Sequence, residues 1–534
     1  MKRKKELIVI LSSLLVIVLS VSVAYFTTKI LGTGKEISVE SADLKVIFTS
    51  GSGTINGTNI EPGWNSGENT FTVKNESNGA YKYNIIIKDL VNTFVTEGFL
   101  QYKITSSDGG YNMTDFADVP KVGIVRDIPI AYNIDIEKNI THSYKIEFRY
   151  INSDDIDQSE DMGKKLSGKI FIVKGTVGPT LIDQLFNNNP TISERVDFST
   201  TFTTNTSNTL YKATENETDV YYFAGRDTIS TTVNNWVKFG GFYWRIIRTN
   251  SNGSIRLLYS GTSPDTTAGY IGTSEFNTTS NSPKYVGYMY GNSDTTLEEA
   301  RTNTNDSTVK TYIDTWYENN LTSYTNYLSN DAVYCNDREL ESSSEYKVAG
   351  IIKNNSKMLL AYETNKIYRN RLIAAGGSSI INVGFKTYER LNTNKTPTYD
   401  CTNTKDAFSG NNVEAKLKYP IALMTADEIV YASGVQNTNA PMWYYMNSTY
   451  NSITGSNDWW LLSPSRYNTG MGYYGPNVYI IKSSSIDRGI ISKVLVVSNV
   501  VTARPVTSLK SCVQWKSGDG SAESPYEIIE NGGC

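Results

Sequence analysis

His142 is the only histidine of the chain, and there are four cysteines, Cys335, Cys401, Cys512 and Cys534. A hydrolytic zinc centre takes two or three imidazoles, and serine or cysteine nucleophiles usually draw their base from a histidine. One imidazole supplies neither. Its setting, Thr141-His142-Ser143-Tyr144 at the start of a strand-like run, reads as an ordinary surface or edge position. The cysteines have no CxxC spacing, which argues for disulfides over a metal cluster, and their order suggests Cys335 with Cys401 and Cys512 with Cys534. Carboxylates remain for acid and base work, although spacing singles out no pair. Thr425-Ala426-Asp427-Glu428 has the form of a helix capping box, so its acids read as electrostatic support for a helix start. Gly470, Gly472 and Gly475 spell a dinucleotide fingerprint. That site needs a helix after the loop, and here Pro476 and a strand-like run follow.

The elements that must position any site are mostly strands. Against 50 Lys+Arg stand 54 Asp+Glu, a net charge of −4 that disfavours a broad nucleic-acid surface. Only 19% of residues are charged while tyrosines number 37, a mixture suited to polar β-structure with an aromatic-rich surface. Lys2, Arg3, Lys4 and Lys5 precede an uncharged apolar run from Leu7 to Phe26, long enough to cross a bilayer with its basic end cytoplasmic. Ser22-Val23-Ala24 places small residues where a signal peptidase reads them, so residues 1–35 are a leader: a cleaved signal peptide, the favoured reading, or a retained signal anchor. Either way the remainder is expected outside the cytosol, secreted or at the cell surface, with the membrane a partner only if the segment is uncleaved. Export permits disulfides.

Residues 36–176 alternate strands and turns: Ser38 to Phe48, Thr70 to Lys74, Tyr81 to Lys88, Leu100 to Ile104, Tyr144 to Tyr150 and Lys169 to Val173. In the fifth, Ile146 and Phe148 fall on the core side and Lys145, Glu147 and Arg149 toward water, the pattern of a β-sandwich. Ala24-Tyr25-Phe26-Thr27, Asp43-Leu44-Lys45-Val46 and the run Glu61-Pro62-Gly63-Trp64 through Lys74-Asn75 resemble the TasA/camelysin group of exported bacterial matrix proteins. That resemblance implies a jelly-roll-like sandwich and self-assembly by donation of an N-terminal strand. Camelysin has been classed as a metalloprotease, but no HExxH occurs here, so no protease activity carries over.

Residues 177–205 read as a linker holding a short helix, Leu181 to Asn188. A second, α+β domain is expected over 206–510, opening with a hairpin at Val237 to Arg248 and a further strand at Ile255 to Tyr259. Val309, Tyr312, Ile313, Trp316, Tyr317 and Leu321 recur at helical spacing after a cap at Asp306 or Ser307. Asp458-Trp459-Trp460-Leu461-Leu462-Ser463-Pro464-Ser465 and Val501-Thr502-Ala503-Arg504-Pro505-Val506 resemble the "WWLRSP … GVRPAL" pattern of a bacterial extracellular domain of uncharacterised function, itself similar to C-type-lectin-like and formylglycine-enzyme-like folds. Leu462 stands where that pattern usually has Arg and Ala503 where it often has Gly. The resemblance implies a platform displaying loops, with Trp244, Trp459, Trp460 and Arg504 as structural anchors. Residues 511–534 complete the chain as a disulfide-closed tail.

Between the anchors, the segment from Arg466 to Tyr479 is dense in Tyr and Asn, residues that make contact surface at low entropic cost. Arg466, Tyr467, Asn468, Tyr473, Tyr474, Asn477 and Tyr479 are therefore the expected ligand-binding residues, for an extracellular protein or glycan. No cofactor is expected. Calcium is the one ion considered, and lectins bind it through EPN or QPD with a following WND; none occurs, and Asn457-Asp458-Trp459 is only a permutation. The sequence thus predicts a mainly β, non-enzymatic exported binder, with a purely structural fibre subunit and a carboxylate-dependent extracellular hydrolase as alternatives.

Overall fold

The computed structural model describes residues 36–38, 44–50, 54–57, 60–67, 69–96, 98–120, 126–174, 178–202, 207–228, 232–342, 352–354, 357–359, 382–468 and 475–530. The leader, Tyr473, Tyr474 and Cys534 lie outside them. Among the described residues no helix is long and apolar enough to cross a membrane. The chain is mainly β and divides into two compact units, Met1–Pro179 and Thr180–Cys534.

In the first unit the strands are β1 (Glu36–Ser38), β2 (Leu44–Ser50), β3 (Thr54–Gly57), β4 (Asn69–Asn75), β5 (Tyr81–Asn92), β6 (Leu100–Ser106), β7 (Ala117–Asp118), β8 (Arg126–Ile136), β9 (Thr141–Tyr150) and β10 (Leu166–Lys174). They form two antiparallel sheets, ordered β1-β2-β4-β9-β6-β7 and β3-β10-β5-β8. Period-two alternation decides their faces: in β9 Tyr144, Ile146, Phe148 and Tyr150 are buried while Lys145, Glu147 and Arg149 are only partly so. These buried residues join Phe71, Val73, Ile85, Ile87 and Ile172 in one hydrophobic cluster that draws on both sheets. β8 has no counterpart among the sequence-predicted strands, although Ile128, Ile130, Tyr132, Ile134 and Ile136 alternate along it; Pro129 lacks a donor for the ladder, and the pairing with β5 shifts register.

His142 is not at the surface. It is 4% exposed, because β9 runs between β4 and β6. Its Nδ1 lies 2.8 Å from the Tyr83 hydroxyl, which lies 2.5 Å from that of Tyr144. Burial pulls the imidazole below its ordinary pKa, with Asp108 opposing.

In the second unit a ten-stranded sheet gathers segments remote in sequence: Thr191–Glu194, Thr209–Glu215, Thr218–Tyr222, Phe242–Thr249, Trp236–Phe239, Tyr526–Ile528 and Trp515–Ser517 in that order, with Ile255–Tyr259, Pro505–Leu509 and Ile421–Leu423 branching from it. The short helix expected within residues 177–205 is present, and from Thr180 onward that stretch belongs to the second unit. Leu181–Asn188 is a helix with a Thr180/Asp183 capping box and buried Leu181 and Leu185, and Thr191–Glu194 pairs in parallel with Thr209–Glu215. The polar composition had suggested a solvated spacer, but its apolar residues supply a stripe wide enough to pack. The helix Thr308–Asn320 starts after Ser307, whose side chain accepts from Lys310 N, and buries Val309, Ile313 and Tyr317. A second sheet orders Asn382–Gly384, Trp459–Asn468, Gly475–Ser483 and Arg488–Leu495.

Candidate functional site

Two adjacent strands, Phe242–Thr249 and Ile255–Tyr259, are buried almost throughout, yet carry Arg245, Arg248 and Arg256. A guanidinium survives such burial only if carboxylates or carbonyls replace its water. Arg245 Nη2 meets Asp227 Oδ2 at 2.8 Å. Arg248 Nη2 meets Glu215 Oε1 at 2.8 Å and its Nε meets Glu428 Oε1 at 3.2 Å; Arg256 Nη1 reaches the same Glu428 oxygen at 2.7 Å. Glu428 is placed by local structure. Thr425 caps the short helix Ala426–Tyr431, its hydroxyl accepting from Glu428 N, while Glu428 Oε2 accepts from Thr425 N at 2.9 Å. The capping box expected from the sequence is therefore present, and its acid also neutralises two arginines.

Beside this group, Arg390 donates to both Asp427 oxygens at 2.8 Å and its Nη2 meets Asp337 Oδ2 at 2.8 Å. Asp427 and Asp337 share one guanidinium nitrogen and so lie within twice that distance of each other. Burial raises the Asp337 carboxyl above its usual range against the pull of Arg390, with Asp427 adding to the rise. Burial also pushes Glu215 up, but Arg248 and Arg256 more than reverse this and hold it at about 2. Arg248, Arg256, Glu428, Arg390, Asp427 and Asp337 line a cavity of about 20 Å3, bounded also by Cys335, Thr398, Tyr399 and Ser463. That is room for about one water molecule. The Cys335–Cys401 disulfide ties the segment bearing Asp337 to that bearing Tyr399. Chemically the arrangement locks carboxylates onto cations and fixes the surrounding segments.

The expected anchors are fully buried. Trp244 Nε1 donates to Phe239 O at 3.0 Å and Trp460 Nε1 to Ser274 O at 2.8 Å; Arg504 stacks over Trp459 at 4.7 Å and donates to Tyr259 O and Tyr444 O. The contact-surface expectation for Tyr467, Asn477 and Tyr479 is corrected: they are 1%, 3% and 0% exposed. The strand Gly475–Ser483 is flanked on both sides by other strands and buried nearly throughout, so its tyrosine is core. Arg466 is half-buried over the Tyr388 ring, 3.8 Å from its centroid. The Asn468 side chain, Tyr473 and Tyr474 lie outside the described residues. Cys512 is disulfide-bonded; its expected partner Cys534 is likewise outside them. Asp458 accepts from Ser483 N and Asn457 donates to Thr454 O, and among the described residues no group of three His, Cys, Asp or Glu could hold a metal ion.

Sequence reasoning missed Glu215, Arg248, Arg256, Asp337 and Arg390. Arginine inside the apolar run Trp244-Arg245-Ile246-Ile247-Arg248 was a usable signal of buried pairing, but the partners stand far away along the chain.

No family model and no curated protein matches the chain. A solved structure described as "AvmM Catalyzes Macrocyclization in Alchivemycin A Biosynthesis" aligns with 11% identity over 28% of this chain and 100% of the other, at a TM-score of 0.15. A likeness that slight carries no argument.

Proposed function

We propose that the chain is an exported surface or matrix protein whose first unit, a jelly-roll-like β-sandwich of the TasA/camelysin kind, supports a second, C-type-lectin-like unit that binds an extracellular protein or glycan. One observation carries this reading: the buried lattice of Glu215, Arg248, Arg256 and Glu428. It joins strands and a helix remote in sequence, so the loops they carry are held rigid before any ligand arrives, which lowers the entropic cost of binding. The Cys335–Cys401 bridge supports residence in an oxidising compartment. Two antiparallel sheets drawing on one hydrophobic cluster support the sandwich.

The test is retention of the purified full chain on a glycan array and on immobilised extracellular proteins, with a parallel search for glycoside turnover. Specific retention without turnover is expected. Polymerisation abolished by deleting residues 25–40, with no ligand retained, would establish the fibre subunit instead; turnover would establish the hydrolase.

A further inference from the structure

His142 ends a chain of buried polar groups inside the first unit. Its Nδ1 meets the Tyr83 hydroxyl, Tyr83 meets the Tyr144 hydroxyl, and the Tyr144 oxygen lies 3.0 Å from Tyr111 N. Among the described residues these are the only hydrogen bonds of the two hydroxyls. Each hydroxyl has one proton to give, and both tyrosines are buried, so solvent offers no substitute partner. A backbone amide only donates, and this sets the direction of the whole chain: Tyr111 N–H donates to Tyr144, Tyr144 to Tyr83, and Tyr83 to His142 Nδ1. Every member is then satisfied, and the neutral imidazole carries its proton on Nε2.

An imidazolium has no lone pair to offer. Once protonated, His142 donates from Nδ1, Tyr83 must turn its proton toward Tyr144, and the Tyr144 proton then faces the Tyr111 N–H with no acceptor. A buried donor left unsatisfied is costly, so the most loosely held member yields. That member is the loop between β6 and β7. Gly110 rests on the Tyr144 hydroxyl so closely that a Cβ there would collide with it and with Ser106 Oγ, to which Gly110 N donates at 3.1 Å. Asp108 is held separately, accepting from Ser143 N and Ser106 Oγ. The titratable groups facing His142 are Tyr83 from β5, Tyr144 on its own strand and Asp108 from this loop, while β4 places apolar Val73 opposite it. Burial pushes both tyrosines up; it also pushes Asp108 up, but the bonds from Ser143 and Ser106 more than reverse this. Between about pH 7 and about pH 4.5, therefore, His142 alone of this group changes charge. We infer that these residues form an acid-released latch: protonation of His142 reverses the hydroxyl chain, and Gly109 to Tyr111 come free of Tyr144 while Asp108 keeps its hold on Ser143. Acid selects the open form because the latched form holds the imidazole without its second proton.

Hydrogen–deuterium exchange of the full chain, read by mass spectrometry with fragmentation to single residues and corrected for intrinsic exchange, tests the latch between about pH 7 and about pH 4.5. The Tyr111 amide is expected to lose protection about tenfold or more on acidification while the amides of β5 keep theirs. His142→Asn, whose amide oxygen accepts from Tyr83 at every pH, should leave Tyr111 protected throughout. Tyr83→Phe cuts the chain between imidazole and loop and should make Tyr111 exchange independent of pH, with circular dichroism checking that each variant folds. The unsubstituted chain decides even where a variant does not fold: Tyr111 protection unchanged across the range overturns the latch, and so does an equal loss in β5, which marks unfolding of the whole unit. A pH-dependent loss surviving in either folded variant would overturn the hydroxyl chain as its cause.

Discussion

Replacing Glu428 by glutamine isolates the charge that holds the second unit's core. Burial alone would raise this carboxyl, but Arg256, Arg248 and the Thr425 amide together hold it below its ordinary pKa. Glutamine keeps the capping geometry, since Gln also serves at that helix position. What it removes is the counter-charge. Arg248 retains Glu215, but Arg256 is left with the Val333 carbonyl and the Tyr334 ring, 4.6 Å away. Breaking a buried pair by removing one partner costs about 3–5 kcal/mol, and because one arginine keeps a carboxylate the lower end applies, about 3 kcal/mol. Urea unfolding followed by tryptophan fluorescence measures it, as Trp64 is the only tryptophan before residue 180 and the signal follows the second unit. Glu428→Ala, which also loses the cap, is expected to cost about 1 kcal/mol more. A loss below about 1 kcal/mol for Glu428→Gln would refute the account of a lattice held by paired charge.

Glu215, held at about 2 against an ordinary 4.5, contributes roughly 3 kcal/mol at neutral pH. Because its folded pKa is depressed, that contribution is complete above 4.5 and disappears as pH falls toward 2; Glu215→Gln should flatten stability over this window in acid titrations of the unfolding midpoint. His142, the only histidine, gives one imidazole signal in proton NMR, expected to titrate below 6.5. A base with a depressed folded pKa stabilises above its unfolded value, so the first unit should lose stability as pH falls below 6.5 and His142→Asn should remove that slope. The double change Cys335→Ser and Cys401→Ser opens a loop spanning 66 residues of sequence separation and should cost about 4 kcal/mol in the unfolding of the second unit; an unchanged midpoint would show that the bridge constrains little.

What the sequence by itself determined is whatever depends on neighbours along the chain. The alternation in Thr141–Tyr150 placed Ile146 and Phe148 inward, the four-residue spacing of Val309, Ile313 and Tyr317 made a helix, and Thr425 and Glu428 announced a cap three residues apart. Each is a local periodicity or a local hydrogen bond, so no tertiary knowledge is needed to read it. Only the tertiary structure decided which sheet face is covered and which charges meet. His142 and Tyr479 have polar atoms compatible with the surface, yet strands on both sides bury them. Glu428 meets Arg248 across 180 residues and Asp427 meets Arg390 across 37. Ion pairs and burial depend on distance in space, which a linear pattern does not encode, and so the charged core emerges only once the strands are in register.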